Sequence, residues 1–271
     1  MDPRSLEREL ADSLGASMPV RWVMAEADRR EREEGKDADR EARAMAKAVA
    51  EGLPLQYAIG RWQFRDFEVL VDGRVLIPRP ETEQVVEVAL QLLAEGPEGA
   101  VVDLGTGSGV IAISLALAFP DRLVIATDVS DEALELAAQN AARNSAKVEF
   151  RRGSWFEALD PASRGPFALM VSNPPYVPEE DYEQLDPRLH HEPRQALVAA
   201  EGDAGDPGLS ELEAILEEAP SWLSPGGAIL VEHGEAQGEA LAELASWLGY
   251  EDVTTHLDLA GAVRATSGRL R

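Results

Sequence analysis

The stretch from Ala100 to Gly109 limits the fold more than any other part of the chain. Ala100–Leu104 is an apolar run of strand length, Asp103-Leu104-Gly105-Thr106-Gly107-Ser108-Gly109 places three glycines at alternate positions, and Val110–Ala118 follows at once as an apolar helix. A strand that enters a helix through so short a turn begins a βα unit. The next strand of such a unit lies parallel to the first, and the helix crosses over the sheet to reach it. The alternate glycines let the backbone turn tightly and pass close to a ligand without a Cβ in the way.

The same alternation runs through the C-terminal two thirds of the chain. Thr82–Ala94 reads as an amphipathic helix, Leu123–Thr127 as a strand, and Asp131–Asn144 as a helix opened by the capping residue Ser130. Val148–Arg151 and Phe167–Ser172 are further strands, followed by a helix over Leu209–Leu223, a strand over Ala228–His233 and a helix over Gly238–Leu248. Glu251–His256 and Ala262–Ser267 read as a closing antiparallel pair, and Gly202–Gly208 as a mobile loop. This pattern predicts an α/β fold with an open, Rossmann-like, doubly wound sheet. Upstream, Leu6, Leu10 and Leu14, then Trp22, Val23 and Ala27, then Asp37–Glu51 keep helical spacing. Between the two parts, Gln63–Val71 alternates, and Asp72-Gly73 predicts a hairpin turn before Val75–Ile77. The expected organisation is a helical domain over 1–60, a β-hairpin linker over 61–79 and the sheet domain over 80–271.

Two positions beyond the glycines carry chemistry. Asp128 lies 25 residues after Asp103, at the end of the second strand of the sheet, where a carboxylate meets the hydroxyls of an adenosine ribose. Asp103 is placed to organise the loop and the amino-acid end of a ligand. A dinucleotide fingerprint needs its third glycine at 110, which is valine. Gly-x-Gly-x-Gly at 105–109 instead suits S-adenosylmethionine, which has no pyrophosphate to seat on the helix N-terminus. Trp155, after the third strand, is either a wall over an adenine or a core aromatic. Asn173-Pro174-Pro175-Tyr176 ends the strand Phe167–Ser172. It is either an ordinary turn or a site in which Asn173 Oδ1 and the Pro174 carbonyl accept the two N–H groups of a planar amide or amine. Both prolines stiffen the backbone there.

Charge and composition narrow the partners. Acidic residues number 50 against 25 basic ones, a formal charge of −25, and phosphate neutralisation needs clustered Lys and Arg, so direct nucleic-acid binding is not expected. The only lysines are Lys36, Lys47 and Lys147. Such a balance fits a surface adapted to high salt, or simply a strongly acidic one. With no cysteine there is no disulfide framework or thiolate site. No secretory signal or membrane-length apolar run is read, so a cytoplasmic monomer is expected. His190-His191 cannot readily aim both rings at one ion, and no metal centre is expected. No Gly-x-Ser-x-Gly nucleophile elbow lies in a usable frame.

Leu76-Ile77-Pro78-Arg79-Pro80-Glu81-Thr82-Glu83, the loop at 103–109, Ser172-Asn173-Pro174-Pro175-Tyr176, Glu192-Pro193 and Ala196-Leu197 together resemble the HemK/PrmC release-factor glutamine methyltransferases. The resemblance covers residues 53–271; in residues 1–52 only Val20-Arg21-Trp22 is recognisable. It implies a class I methyltransferase sheet and methyl transfer from S-adenosylmethionine to the side-chain amide of the glutamine in the Gly-Gly-Gln motif of peptide chain release factors. Cofactor contacts would come from Asp103, Gly105, Thr106, Gly107, Ser108, Gly109, Asp128, Trp155 and Asn173. Asn173 and Pro174 would hold the glutamine amide, with Pro175, Tyr176 and Ile77 around its methylenes and the helical domain docking the substrate. Arg79 and Glu81 would act there or form an internal ion pair. Ribosomal-protein L3 glutamine methyltransferases and adenine-N6 DNA methyltransferases share the Asn-Pro-Pro-Tyr motif and are the alternatives, with a non-catalytic adaptor that retains the nucleoside pocket as a third.

Overall fold

The computed structural model describes residues 3–15, 17–161, 167–200 and 208–271. Apart from Gly208, the loop expected to be mobile lies outside the described residues. Three helices, α1 (Pro3–Leu14), α2 (Ser17–Glu34) and α3 (Ala38–Ala50), and a short α4 (Leu55–Ile59) come first. The hairpin β1 (Arg61–Phe64) and β2 (Phe67–Leu70) leads to α5 (Pro80–Glu95), β3 (Ala100–Leu104), α6 (Val110–Ala118), β4 (Val124–Asp128), α7 (Asp131–Arg143) and β5 (Glu149–Arg152). The chain finishes with β6 (Phe167–Ser172), α8 (Ser210–Glu218), β7 (Leu223–Glu232), α9 (Gly238–Trp247), β8 (Glu251–Leu257) and β9 (Val263–Arg269).

Seven strands form one sheet in the order β5-β4-β3-β6-β7-β9-β8. The first five of these neighbours are parallel, and β9 runs antiparallel between β7 and β8. Strand side chains alternate between two layers. Val101, Val124, Ala126, Leu169 and Leu230 pack against α5, α6 and α7, whereas Val102, Leu104, Ile125, Met170 and Ile229 pack against α8 and α9. α6 is buried over Val110–Ala116, which is why it is apolar on every side rather than amphipathic. The chain leaves β3 toward β4 on one side and returns to β6 on the other. The carboxyl ends of β3 and β6 therefore flank a crevice at a topological switch point.

α1, α2 and α3 close on a core of their own around Leu6, Leu10, Val23, Ala27, Ala42 and Ala46. Glu26 is buried beside that core and faces three guanidinium groups: Arg29 at 2.5 Å, Arg30 at 2.8 Å and, from β1, Arg61 at 3.3 Å. Burial works against the Glu26 charge, but the hydrogen bonds from Arg29 and Arg30 and the charge of Arg61 outweigh it and hold its pKa below the usual carboxylate range. The hairpin belongs on the other side of that link. Phe64, Val69 and Val71 are continuous with the core shared by α5, α6 and α7.

Two expectations are corrected. The hairpin turns at Arg65-Asp66, with Phe64 opposite Phe67 and Arg65 at φ 49°, and not at Asp72-Gly73. The odd step from Phe64 to Phe67 breaks the two-residue period at that turn. Asp72-Gly73 makes a local turn instead, with the Val75 N–H donating to the Asp72 carbonyl at 3.1 Å and the Arg74 side chain on Asp72, and Val75–Ile77 is not a strand. The helix expected over Leu209–Leu223 stops at Glu218 because Pro220 cannot donate to its ladder. β7 then begins at Leu223, five residues before the expected strand. Among the described residues no helix is long and apolar enough to cross a membrane.

Candidate functional site

Gly105, Gly107 and Gly109 stand at φ 72°, 54° and 87°, left-handed values that L side chains rarely adopt. Two carboxylates hold the loop in that shape. Asp103, fully buried at the end of β3, accepts the Thr106 hydroxyl at 2.6 Å and the Ala112 N–H at 3.1 Å on Oδ2. Its Oδ1 has no hydrogen-bond partner. Burial pushes the Asp103 carboxyl up to about 7. Asp128, at the end of β4, accepts the Gly107 N–H on Oδ2 and the Ser130 N–H on Oδ1, each at 2.9 Å. Burial raises its pKa too, although these N–H groups pull the other way. Each Asp128 oxygen keeps a second lone pair for a ligand.

A third holder was not legible in the sequence. Asn140 of α7 is fully buried; its Oδ1 accepts the Leu70 N–H at 2.7 Å, and its Nδ2 donates to the carbonyls of Leu70 at 3.1 Å and Ser108 at 2.9 Å. One side chain thus joins the hairpin to the glycine loop. On the opposite wall, Trp155 lies against Gly105 so closely that a Cβ there would sit 3.0 Å from Cζ3. Its indole N–H donates to Glu211 Oε2 at 2.6 Å.

These groups line a cavity of about 550 Å³, of a size that takes a small organic ligand. Gly105, Thr106, Gly107, Ser108, Asp128, Trp155, Asn173 and Pro175 all reach it. Asp103 and Gly109 lie beneath the loop, outside the lining. Pro174 is buried between the two lining residues Asn173 and Pro175. Tyr176 packs against the α8 and α9 layer, its carbonyl accepts from Gln237 at 3.2 Å, and burial pushes its hydroxyl up to about 12. Ile77 is buried and also lies off the cavity wall.

Arg79 is not paired with Glu81. Its guanidinium reaches Glu192 Oε1 at 2.6 Å, and Glu192 Oε2 accepts the Ile77 N–H at 2.9 Å. Glu192 is buried, and each of its carboxylate oxygens meets one of these two partners. The pair clamps the segment before α5 to the region after β6. Asn173, at the mouth of the switch-point crevice, donates from Nδ2 to Thr82 Oγ1 at 3.5 Å. Among the described residues no cluster of His, Asp and Glu could hold a metal ion. His190 instead faces the Tyr182 carbonyl at 3.1 Å.

Residues 82–200 match the family described as the methyltransferase small domain. The chain is 41% identical over 235 residues to the release factor glutamine methyltransferase of Synechocystis sp., a match covering 84% of this chain and 77% of that protein. It is 43% identical over 228 residues to the enzyme of the same name from Bordetella pertussis, covering 84% and 82% of the two chains. Among solved structures, a methyltransferase from Pyrococcus furiosus superposes with a TM-score of 0.55 at 21% identity over 86% of this chain and 98% of its own, a likeness of fold. Identity of this extent over most of both chains places the protein by descent as well as by fold: it belongs to the release factor glutamine methyltransferase family.

Proposed function

We propose that the protein transfers a methyl group from S-adenosylmethionine to the side-chain amide nitrogen of the glutamine in the Gly-Gly-Gln motif of peptide chain release factors. The observation that supports this most is the single cavity shared by the glycine loop, Asp128, Trp155 and Asn173. The donor set suits a cationic nucleoside. Asp103 lends a carboxylate to the floor beneath the loop, the remaining lone pairs of Asp128 suit ribose hydroxyls, and Trp155 offers a flat face to a purine. When bound, S-adenosylmethionine supplies an electrophilic methyl group. The chain's own task is to present the nucleophile.

An amide nitrogen is a poor nucleophile because its lone pair is delocalised into the carbonyl. Asn173 Oδ1 and the Pro174 carbonyl would accept its two hydrogens, localise the lone pair and turn it toward the cavity. Positioning of this kind supplies most of the acceleration, and no side-chain base is needed before attack. Pro175 is the motif residue best placed to pack the glutamine methylenes, since Tyr176 and Ile77 lie further back. Residues 1–60 would dock the release factor, with the buried Glu26–Arg61 contact tying that domain to the hairpin. The setting would be the cytoplasm and the working form a monomer.

The test is methyl transfer from labelled S-adenosylmethionine to purified release factor, with ribosomal protein L3 and adenine-containing DNA alongside. Label on the Gly-Gly-Gln glutamine alone is the expected result. Label on L3 or DNA, or none despite cofactor binding, rejects the proposal.

A further inference from the structure

We infer that Glu211 is a specificity-determining residue whose carboxylate tilts the cavity toward the cationic cofactor and away from its uncharged product. The inference deepens the functional reading above and rests on its choice of cofactor. Glu211 lies in the first turn of α8, half-buried, and reaches the cavity wall. Its Oε2 accepts the Trp155 indole N–H at 2.6 Å.

The charges on the cavity wall do not balance. Its charged side chains are Arg74, Arg79, Arg194, Asp128, Glu179 and Glu211. Every arginine is neutralised: Arg74 by Asp72 at 2.7 Å, Arg79 by Glu192 at 2.6 Å and Arg194 by Glu179. Among the described residues no cation pairs with Asp128 or Glu211, which meet N–H groups instead, two backbone ones for Asp128 and the indole for Glu211. An indole N–H is neutral and only donates, so it fixes a carboxylate in place without cancelling its charge. A guanidinium there would do both. Trp155 stands at φ 43°, a left-handed value strained for an L residue, with its ring against Gly105. Asp128 also holds the loop, whereas Glu211 can be altered without touching it.

Methyl transfer changes the charge of the cofactor. S-adenosylmethionine carries a sulfonium, an ammonium and a carboxylate, hence one net positive charge. As the S–CH₃ bond breaks and the N–CH₃ bond forms, the bonding pair returns to sulfur and the amide nitrogen gives up a proton to water. S-adenosylhomocysteine is left with no net charge. An uncancelled carboxylate on the wall attracts the first and not the second, which favours exchange of product for fresh cofactor after each turnover. The attraction acts across the cavity and needs no contact between Glu211 and the sulfonium. In a cavity of about 550 Å³ the two charges stand on the order of 10 Å apart. At an effective dielectric of about 20 to 40, one unit charge at that distance changes affinity by about 4- to 16-fold.

The test is the calorimetric Kd of wild type and variants for S-adenosylmethionine, S-adenosylhomocysteine and sinefungin. Sinefungin carries an amine in place of the methylsulfonium, so it keeps the positive charge and transfers nothing. Glu211→Gln keeps an oxygen for the indole N–H and loses the charge. It should weaken both cationic ligands about 4- to 16-fold relative to S-adenosylhomocysteine. Glu211→Ala loses the charge and the indole acceptor together, so it should weaken all three ligands, with the same extra factor on the cationic two; should Glu211→Gln not fold, this variant decides by the same ratio. Glu217→Gln removes a charge from an exposed position of α8 away from the cavity, and the ratio should keep its wild-type value. A wild-type ratio in Glu211→Gln, whether all three ligands weaken together or none does, overturns the inference and leaves Glu211 as a holder of Trp155 alone. An equal change of ratio in Glu217→Gln also overturns it, since the net charge of the molecule would then be the cause. A wild type that binds the three ligands but methylates no release factor removes the substrate from the functional reading while the ratio still decides the role of Glu211. A wild type that binds none of them removes both.

Discussion

Replacing Gly105 by alanine tests the architecture of the loop, because two separate terms can be read from the structure. At φ 72° an L residue costs about 1–2 kcal/mol in backbone strain. The new Cβ would also stand 3.0 Å from Cζ3 and 3.5 Å from Cη2 of Trp155. The indole cannot retreat easily, since its N–H is tied to Glu211 and its ring packs against the α8 and α9 layer. Overpacking of this kind adds about 1–3 kcal/mol. Gly107→Ala is the matched control, with φ 54° and open space around the added Cβ, so it carries the strain alone. For a chain of this size each kcal/mol lowers the melting temperature by about 2–4 °C. Without ligand, Gly107→Ala should lose about 2–8 °C and Gly105→Ala about 4–20 °C, with the larger loss always in Gly105→Ala. Trp155→Leu in the Gly105→Ala background should remove the excess, so the two substitutions should be less than additive. Equal losses from the two alanine variants, or strict additivity with Trp155→Leu, would refute the claim that Trp155 is seated on the loop.

Asn140→Ala removes the acceptor of the Leu70 N–H and the donor to two carbonyls, which should cost about 2–4 kcal/mol in urea unfolding. A loss below about 1 kcal/mol would mean the link from hairpin to loop is held by other groups. Asn173→Ala should abolish methyl transfer and leave S-adenosylmethionine affinity by calorimetry largely intact; near-normal turnover would remove Asn173 from the mechanism. The charge of −25 predicts a melting temperature that climbs from low to molar salt as self-repulsion is screened, and a flat or falling one would argue against adaptation to high salt.

What the sequence made legible was local, and what it hid was long-range. α6 and α7 were readable because an apolar run and a capping serine sit next to each other in the chain; the Ser130 side chain does accept the Ala133 N–H at 3.2 Å. The hairpin was misplaced because Asp72-Gly73 is the stronger local turn signal, although the true turn at Arg65-Asp66 is the one that lets Phe64, Val69 and Val71 reach the core. The end of α8 was overrun because the apolar pattern continues past Pro220, where the ladder cannot. The site shows the same division. The glycine loop and Asn173 announce themselves in short motifs. Asn140 acts on Leu70, 70 positions away, and Arg79 meets Glu192 rather than its near neighbour Glu81, and neither pairing has a local signature. Sequence position assigned the loop to Asp103 and the ribose to Asp128, and only the fold shows that Asp128 holds the loop as well as facing the cavity.

Asp103 makes the opposition between stability and function measurable. Its folded pKa, about 7, lies above the ordinary carboxylate value, so the folded protein holds a proton that the unfolded chain has released between roughly pH 4 and pH 7. Its contribution to stability is thus most favourable below pH 4, is lost progressively as pH rises to about 7, and is at its worst above that. A shift of about three units corresponds to roughly 4 kcal/mol as an order of magnitude. Asn at this position keeps an oxygen for the Thr106 hydroxyl and the Ala112 N–H but carries no charge to bury. Asp103→Asn should therefore be more stable than the wild type in urea at pH 8 and no more stable near pH 4. The same variant should bind S-adenosylmethionine more weakly, because the Asp103 charge lies directly beneath the loop that lines the cavity and favours a cationic ligand across it. A buried charge that destabilises the ligand-free fold and is relieved by the ligand is the trade expected of a binding site. A variant with equal gain at both pH values would place its benefit in packing rather than charge, and one that gained stability at pH 8 with undiminished cofactor affinity would leave Asp103 no role in binding.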